Sequence, residues 1–418
     1  MPDSSALRVA LLSYRGNPYS GGQGVYVRQL SAALTSLGHR VTVFAGQPYP
    51  HLENGIPFVA VPSLDLYRAD DPFRTPGLRE FRNWIDVLEY AYLCTAAFPE
   101  PLTFSLRMRR LLAAQAGSFD VVHDNQCLGW GMLGLRRAGL PVVASVHHAV
   151  VIDRDFEIAR ERNLVRRLTL RRWYQFHNMQ DRVARQMQRV ITVSEKSRRD
   201  IVERMGVDPT RVRVIPIAVD GTVFTPQPAT PRVPGRVFAV ASADVSLKGV
   251  VPLLHAIAAI RQRRPVEVVI LGEARPNGAV ARTMKQLGLS DTVRFMRGVD
   301  EAEVARQYAQ AEVAVVPSLY EGFSIPALQA MASGVPLVAT TAGALPEVAG
   351  AHGETALLVP PGDAAALAEA IGSLLDDPPL RIRLSEAALR RSRERFSWEA
   401  TARATADVYR EVVRKRLP

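Results

Sequence analysis

The sequence is poor in cysteine and lacks long apolar runs, and each absence excludes a class of protein. Only two of its 418 residues are cysteines, Cys94 and Cys127. Two such distant thiols provide neither a disulfide framework nor a metal site, which favours a reducing environment without a bound metal. A membrane-spanning helix needs about 20 consecutive apolar residues, and a secretory signal needs a basic stretch before its apolar run. Because neither pattern is present, we expect a cytoplasmic chain.

Lysine is also scarce, although the chain is strongly basic. The formal net charge is +11, but only four of the 52 basic residues are lysines. So strong a preference for arginine is typical of genome-wide composition, and no motif combines basic with aromatic residues as nucleic-acid-binding modules do. We therefore expect no nucleic-acid ligand, and we interpret the charge as attraction to a phosphorylated substrate or to anionic lipid.

What the sequence does contain is a repeated alternation of strand and helix. Residues 7–13 form a short apolar run, which is followed by a glycine-rich turn, a helical pattern from Val25 and a second apolar run at 41–44. This order is typical of a Rossmann-like α/β unit. Further strands of the first half are predicted at 121–123, 142–147, 190–193 and 212–215.

The same alternation begins again after a proline-rich stretch at 225–234. We therefore predict an α/β protein of two Rossmann-like, doubly wound domains that face each other across a cleft. The predicted boundaries are an N-terminal domain at 1–220, a C-terminal domain at 221–396 and a final helix at 397–418, which either closes the second domain or braces the first. Strands of the second half are predicted at 237–242, 266–271, 293–296, 313–316 and 337–339.

The strongest local pattern is a predicted strand-to-helix corner. The strand ends at Pro317, and a helix begins near Pro326 with Ser324 as its N-cap. The backbone amides of residues 322–325 would then point outward with the positive end of the helix dipole, which suits a diphosphate. Glu321 lies at the carboxyl end of the strand, where its side chain can reach the hydroxyls of a ligand.

This corner resembles the signature of glycosyltransferase family 4, retaining enzymes of the GT-B fold, which is approximately E-G-F-G-x-P-x-x-E. The resemblance implies that Glu321 binds sugar hydroxyls near the reacting centre and that Gln329 binds the ribose of a nucleotide sugar. Gln329 stands where the family has a second glutamate, and a neutral amide binds a hydroxyl more weakly than a carboxylate does. The amides that would hold the diphosphate belong to Gly322, Phe323, Ser324 and Ile325.

Lys248 resembles the phosphate-binding lysine of the same family. It follows a predicted strand and precedes a predicted helix, and its compact charge suits a leaving diphosphate. In a chain this poor in lysine, its presence favours a specific role over an ordinary surface position. The arginine that the family has six residues earlier is replaced by Ser242, so either Lys248 and the helix dipole suffice or a neighbouring arginine substitutes.

Further predicted site residues lie at other strand ends. Gly21 and Gly22 resemble the glycine loop of the family, whose backbone approaches the donor phosphate or the acceptor, although a structural turn would have the same sequence. His147 closes a predicted strand, where the resemblance implies a histidine near the transferred sugar and the alternative is a structural side chain. Gly298 and Val299 also follow a predicted strand, and we expect their backbone to contact the base of the donor.

Two stretches of the first domain fit the alternation poorly. Residues 62–110 hold eight of the 29 aromatic residues. This aromatic-rich insertion is either a helical subdomain with its own small core or a surface for an acceptor or a second subunit. Residues 154–189 carry ten arginines against four acidic residues, and they form either a solvated helix face or a helix that lies on an anionic membrane surface.

The resemblance implies a retaining glycosyltransferase that moves a hexose from a nucleotide diphosphate sugar, held by the C-terminal domain, to a hydroxyl of a glycan, lipid or small-molecule acceptor. Glu321, His147 and Lys248 are its predicted catalytic residues. No Asp-x-Asp pair follows a strand, so we expect a reaction without metal or other cofactor. We expect it in the cytoplasm or at the inner membrane face. The alternative is a nucleotide-sugar-binding protein with little or no transfer activity, which Ser242 and Gln329 favour.

Overall fold

The computed structural model describes residues 6–17, 22–68, 70–115, 117–241 and 246–414. The chain forms two compact units, the first from Met1–Val193, Ser197–Ile215 and Trp398–Pro418, and the second from Ser194–Lys196 and Pro216–Ser397. Each unit is a parallel β-sheet covered by helices, as predicted. Within the described ranges, no helix is both long and apolar enough to cross a membrane.

The first unit is built on a seven-stranded parallel sheet in the order β3-β2-β1-β4-β5-β6-β7. Its inner strands are almost uninterrupted apolar runs, because both faces of a parallel sheet are buried. The edge strand β3 is exposed along its whole length and is not predicted from the sequence. The strands are β1 (Arg8–Ser13), β2 (Arg40–Ala45), β3 (Phe58–Ala60), β4 (Val121–Asn125), β5 (Val142–Ser145), β6 (Arg189–Thr192) and β7 (Val212–Val214).

The aromatic-rich insertion contributes to the main core of this unit. Phe104, Met108 and Leu112 of helix α3 are buried with Leu12 and Val122 of the sheet, so α3 does not belong to a subdomain with a separate core. The helices before the second unit are α1 (Gln23–Ser36), α2 (Trp84–Cys94), α3 (Glu100–Ala113), α4 (Trp130–Arg137), α5 (Val151–Arg160), α6 (Leu164–Trp173), α7 (His177–Ala184) and α8 (Glu195–Met205).

The second unit has a six-stranded parallel sheet in the order β10-β9-β8-β11-β12-β13. Its strands are β8 (Arg236–Val240), β9 (Glu267–Leu271), β10 (Val293–Met296), β11 (Val313–Val316), β12 (Leu337–Thr340) and β13 (Leu357–Val359). Its helices are α9 (Val250–Arg261), α10 (Ala279–Gln286), α11 (Glu301–Gln310), α12 (Ile325–Ala332), α13 (Leu345–Ala349), α14 (Ala364–Asp376) and α15 (Pro378–Arg395). Apolar side chains of α9 and α14 fill the core against this sheet.

The last helix, α16 (Trp398–Arg414), packs on the first unit. It contacts α1 and the strands β4, β5 and β6. Its residue Tyr409 is fully buried, and the Tyr409 hydroxyl lies 2.6 Å from His123 Nδ1. The helix is therefore part of the core of the first unit, although the second unit precedes it in the chain.

Candidate active site

The strand order of the second sheet reverses between β8 and β11, and two predicted site residues follow these strands. From β8 the order continues to β9 and β10, and from β11 it continues to β12 and β13. Ligands of open α/β sheets bind beyond the carboxyl ends of the strands at such a switch point. Lys248 follows β8 and Glu321 follows β11, so the topology brings both residues to one edge of the sheet.

Lys248 and Glu321 are in direct contact at this edge. Lys248 Nζ lies 2.8 Å from Glu321 Oε1, and the same oxygen accepts a hydrogen bond from Ser318 Oγ at 2.7 Å. Glu321 is buried, whereas Lys248 is half-buried. A carboxylate removed from water needs such partners, and the two donors hold it in one orientation. The sequence predicted the residues of the ion pair but not Ser318, whose only signal is its position just after β11.

Backbone contacts fix the two segments to each other. The amide of Leu319 donates to the carbonyl oxygen of Leu247 at 2.7 Å. Gly249 has a φ of 66°, and a Cβ at this position would lie 1.8 Å from the carbonyl oxygen of Pro317. Any other residue would therefore force the two segments apart. The main chain thus places Lys248 beside Glu321.

Helix α12 begins at Ile325 with Ser324 as its N-cap, in agreement with the sequence prediction. Ser324 Oγ accepts a hydrogen bond from the amide of Ala327 at 3.4 Å. The amides of Phe323, Ser324 and Ile325 donate to no acceptor in the described ranges. Because the positive end of the helix dipole coincides with these amides, this corner suits an anion such as a diphosphate.

Ser324 adopts an unusual backbone conformation for a residue with a side chain. Its φ is 92°, in a region that is sterically strained for residues with a Cβ. The family pattern that this corner resembles has glycine at the same position, which is free of this strain. Ser324 therefore has the backbone strain, but its hydroxyl also caps the helix.

The other predicted donor-binding residues of this unit are Gln329, Gly298 and Val299. Gln329 is half-buried in the second turn of α12, and Gly298 and Val299 follow the edge strand β10. Among the described residues, no recorded hydrogen bond or ion pair joins these three to Lys248 or Glu321. Because β10 runs parallel to β8 and β11, Gly298 and Val299 lie at the same carboxyl edge of the sheet as Lys248 and Glu321. Ser242 lies outside the described residues.

In the first unit, His147 lies two residues beyond β5, and residues that end or follow β4 hold it. His147 Nε2 lies 2.7 Å from Asn125 Oδ1, and its amide donates to Gln126 Oε1 at 2.8 Å. Burial and the neighbouring His148 lower the pKa of His147 to about 4, so the imidazole is neutral at pH 7. With Nε2 donating to Asn125, Nδ1 remains as an acceptor for a hydroxyl.

A chain of buried polar groups lies behind His147. Tyr26 packs edge-on against the imidazole, with ring centroids 4.7 Å apart, and the Tyr26 hydroxyl lies 3.4 Å from Ser145 Oγ. Ser145 Oγ lies 2.7 Å from His123 Nε2, and His123 Nδ1 contacts the Tyr409 hydroxyl. The sequence gives no signal for this chain, because its members come from two strands and two helices that are far apart in sequence. These contacts hold Tyr26, which packs against the imidazole of His147, in position.

The predicted glycine loop is described only in part. Gly21 lies outside the described residues, and Gly22 has a φ of 71° immediately before α1. At Gly24 a Cβ would lie 2.2 Å from the carbonyl oxygen of Asn17. Glycine is therefore required where the β1–α1 loop crosses the first turn of the helix, which accounts for part of this motif by packing alone.

The remaining features of the described structure contain none of the predicted site residues. No group of three His, Cys, Asp or Glu side chains in the described ranges could hold a metal ion. A cavity of about 430 Å³ in the first unit is lined by Arg82, Asp86 and Arg110 among others, and by no predicted site residue. The predicted side chains instead lie along the carboxyl edges of the two sheets.

Two family signatures together match most of the chain. The signature described as Glycosyltransferase Family 4 matches residues 20–222. The signature described as Glycosyl transferases group 1 matches residues 234–377. Each match covers most of one sheet and its helices, so both α/β units are those of glycosyltransferases.

Relatives and solved structures agree with these matches. The chain is 50% identical over 408 residues to the MMP alpha-(1->4)-mannosyltransferase of Mycolicibacterium hassiacum, covering 97% of this chain and 98% of the relative. It is 28% identical to the D-inositol 3-phosphate glycosyltransferase 2 of Catenulispora acidiphila, covering 97% and 95%. The structure of sucrose-phosphate synthase from Thermosynechococcus elongatus is similar with a TM-score of 0.74 at 25% identity, covering 98% of this chain and 100% of that chain.

Proposed function

This chain belongs to glycosyltransferase family 4 and has the GT-B fold, and on that premise we propose that it transfers a mannosyl residue from a nucleotide diphosphate sugar to a hydroxyl of a glycan acceptor, with retention of configuration. That it is a glycosyltransferase follows from the comparisons. The choice of donor and the site residues are our proposal. The observation that carries it is the contact between Lys248 and Glu321 at the switch point, next to the start of α12.

The leaving diphosphate would bind where α12 begins. Negative charge develops on it in the transition state, and the amides of Phe323, Ser324 and Ile325 are already oriented to stabilise that charge. Lys248 carries three N–H donors. It can therefore remain in contact with Glu321 while it donates to a phosphate oxygen. Glu321 would bind the hydroxyls of the transferred sugar and so fix the sugar relative to the diphosphate.

The proposed stereochemistry follows from the name of the relative. An α-(1→4)-mannosyltransferase forms an α linkage, and nucleotide diphosphate mannose is itself α-configured, so the configuration is retained. A retaining glycosidase uses two carboxylates about 5 Å apart, whereas the second unit offers Glu321 paired with a lysine. This supports direct attack by the acceptor hydroxyl on the face from which the diphosphate leaves, with a phosphate oxygen accepting the proton.

His147 and the glycine loop would act on the side of the first unit. The neutral imidazole can accept a hydrogen bond from a sugar hydroxyl through Nδ1. We propose no role for a metal or another cofactor, because Lys248 and the helix terminus provide the positive charge that the leaving group needs.

The arginine-rich stretch supports a second, independent part of the proposal. Helix α6 exposes Leu164, Val165 and Leu168, with exposed fractions of 72%, 72% and 62%, next to Arg166 and Arg167. Exposed apolar and basic side chains on one helix are typical of binding to a membrane surface. We propose that α6 contacts anionic lipid. We expect the protein to co-sediment with anionic vesicles at low salt but not with neutral vesicles. Absence of co-sedimentation with anionic vesicles would contradict this part of the proposal.

A transfer assay tests the main proposal. The purified chain is given guanosine, uridine and adenosine diphosphate sugars of mannose and glucose together with mannosides as acceptors, and the anomeric configuration of the product is determined by NMR. We expect mannosyl transfer, an α product and activity that EDTA leaves unchanged. A β product would contradict retention. Donor binding without turnover on any acceptor would instead favour a nucleotide-sugar-binding protein.

A further inference from the structure

The first sheet has a switch point of its own, and a polar cluster lies beside it. From β1 the order continues to β2 and β3, and from β4 it continues to β5, β6 and β7. Tyr14 and Arg15 directly follow β1. Glu100 begins α3, and the carbonyl oxygen of the next residue, Pro101, accepts a hydrogen bond from Cys127 Sγ in the segment after β4 at 2.9 Å. Glu100 therefore lies where α/β sheets bind their ligands.

Two oxygens of this cluster are buried without a hydrogen bond to any described residue. They are Glu100 Oε2 and the hydroxyl of Tyr67. Glu100 is only 8% exposed, and Arg15 Nε lies 3.5 Å from its Oε2. Burial raises the pKa of both Tyr67 and Tyr14, and Glu100 raises it further in both, so these side chains are neighbours. Native proteins leave few buried polar atoms unpaired, and two neighbouring ones indicate a missing partner.

An aromatic cluster adjoins these oxygens, and it unites the two stretches that do not fit the strand–helix alternation. The ring of Tyr67 lies 5.3 Å from Phe98 and 5.6 Å from Trp173. Phe98 lies 5.2 Å from both Trp173 and Phe176. All four rings are half-buried, unlike the aromatic side chains of the main core. We call Tyr67, Phe98, Trp173 and Phe176 the aromatic cluster.

We propose that the aromatic cluster, with the unpaired oxygens of Glu100 and Tyr67, is the subsite that binds the saccharide acceptor. This inference rests on the proposed function. A pyranose has apolar faces formed by C–H groups and a rim of hydroxyls. The rings provide an apolar surface for such a face, and the oxygens provide partners for the hydroxyls, as in binding sites with aromatic walls and few convergent polar groups.

The position of Arg15 shows how a sugar would enter. Its guanidinium carbon lies 6.0 Å from the centre of the Tyr67 ring, and its Nε contacts Glu100, so Arg15 covers both side chains. Arg15 is itself half-exposed, and exposed side chains change rotamer within nanoseconds. An incoming hydroxyl would displace the guanidinium and take over its contact with the carboxyl group.

The substitution Tyr67→Phe is the sharpest test, because it removes one oxygen and no hydrogen bond within the described protein. If that oxygen binds a sugar hydroxyl, KM for the acceptor rises about three- to tenfold, while kcat and KM for the donor stay unchanged. A purely structural tyrosine would give wild-type kinetic constants, and that result would overturn the proposal. Tyr90→Phe is the matched control, since the ring of Tyr90 packs against Phe81, which is not part of the aromatic cluster.

A second substitution tests the apolar part of the subsite. Trp173→Ala removes the ring that contacts both Tyr67 and Phe98, and KM for the acceptor is expected to rise at least tenfold with donor binding preserved. Thermal unfolding of the variant shows whether it folds. If it does not, Tyr67→Phe still decides the question.

Failure of the subsite and failure of the proposed function give different results. If the chain transfers no sugar, the wild type itself consumes no acceptor. If only the subsite is misplaced, the wild type transfers normally, and both Tyr67→Phe and a folded Trp173→Ala keep the wild-type KM for the acceptor. The proposal requires transfer by the wild type together with a raised acceptor KM in Tyr67→Phe, and in Trp173→Ala if that variant folds.

Discussion

Each sheet has a buried glutamate beside its switch point, but the two glutamates differ in their hydrogen-bond partners. At the switch point of the second sheet, Glu321 contacts Lys248 Nζ at 2.8 Å and Ser318 Oγ at 2.7 Å. At the switch point of the first sheet, Glu100 has Arg15 Nε at 3.5 Å and an Oε2 without a hydrogen bond. Both glutamates are 8% exposed. Burial therefore does not distinguish them, whereas the number and the distance of their partners do.

This difference matches the two kinds of ligand that a glycosyltransferase binds. The paired glutamate lies beside a lysine and a helix terminus, a combination that suits a charged diphosphate sugar. Burial raises the pKa of Glu100 to about 8 against the opposing charge of Arg15, and the nearby Glu89 and Asp65 raise it further. A carboxyl group that is protonated at neutral pH suits a neutral ligand with hydroxyls.

The largest effect is expected from substitution of Glu321, the glutamate that is paired with Lys248. Glu321→Ala removes the carboxylate that would position the transferred sugar, and we expect the rate of transfer to fall about 10²- to 10³-fold. Circular dichroism should show a folded protein. Glu386→Ala, an exposed position on α15, is the control with wild-type activity. Near-normal turnover of Glu321→Ala would remove this residue from the active site.

Glu100, the glutamate whose Oε2 lacks a hydrogen bond, should make the stability of the protein depend on pH. The pKa of Glu100 is about 8 in the folded protein and 4.5 as a reference, so between these values the folded chain holds a proton that the unfolded chain releases. The free energy of unfolding then falls as the pH rises from 4.5 to 8, by on the order of a few kcal/mol. Glu100→Gln cannot titrate and should lose less stability over this range.

Urea unfolding of the wild type and Glu100→Gln at pH 5 and pH 8 measures this difference. The same pH dependence in both proteins would mean that Glu100 is already ionised in the folded state. The two glutamates would then not differ in the way described above.

A smaller effect is expected at His147. His147→Ala removes one neutral hydrogen-bond acceptor, and we expect transfer to slow about tenfold. Because the pKa of His147 is about 4, the wild-type profile of kcat/KM should show no inflection from this group near pH 6.5. His148→Ala is the neighbouring control and should stay within about twofold of the wild type. An inflection near pH 6.5 that His147→Ala abolishes would show that the imidazole is charged in that range.

The smallest effect concerns the strained cap of α12. Ser324→Gly relieves the positive φ and loses only a few tenths of a kcal/mol of capping, whereas Ser324→Ala loses the cap and keeps the strain. We expect the glycine variant to be more stable than the alanine variant by about 1 kcal/mol. Thermal unfolding of the two proteins measures the difference, and equal stabilities would argue against strain at this position.

Much of the fold could be predicted because apolar periodicity and breakers are local signals. The strands at 293–296 and 313–316 and the helix at 250–261 have the same bounds in the structure. The strands β3 and β13, which lie at the edges of the two sheets, are absent from the prediction. The membership of α3 in the main core could not be predicted either, since it depends on contacts with distant strands.

The site could be predicted only where a residue type stands at a strand or helix end. Glu321, Lys248 and Ser324 have such positions, and Lys248 and Glu321 do meet. Ser318, Asn125 and Gln126 have ordinary sequence surroundings, and only the folded chain shows that they hold Glu321 and His147. Glu100 gives no sequence signal, because one glutamate at a helix start is common and its unpaired oxygen is a property of the packing.

The central claim is that the corner formed by Lys248 and the start of α12 binds the diphosphate of the donor. Calorimetric titration of the wild type, Lys248→Ala and Lys285→Ala with the nucleoside diphosphate of the preferred donor tests it directly, since Lys285 is an exposed lysine of the same unit. We predict that Lys248→Ala weakens binding at least tenfold, as expected for the loss of a charged hydrogen bond of about 1.5–3 kcal/mol, and that Lys285→Ala binds like the wild type. Equal affinities in all three proteins would contradict the account.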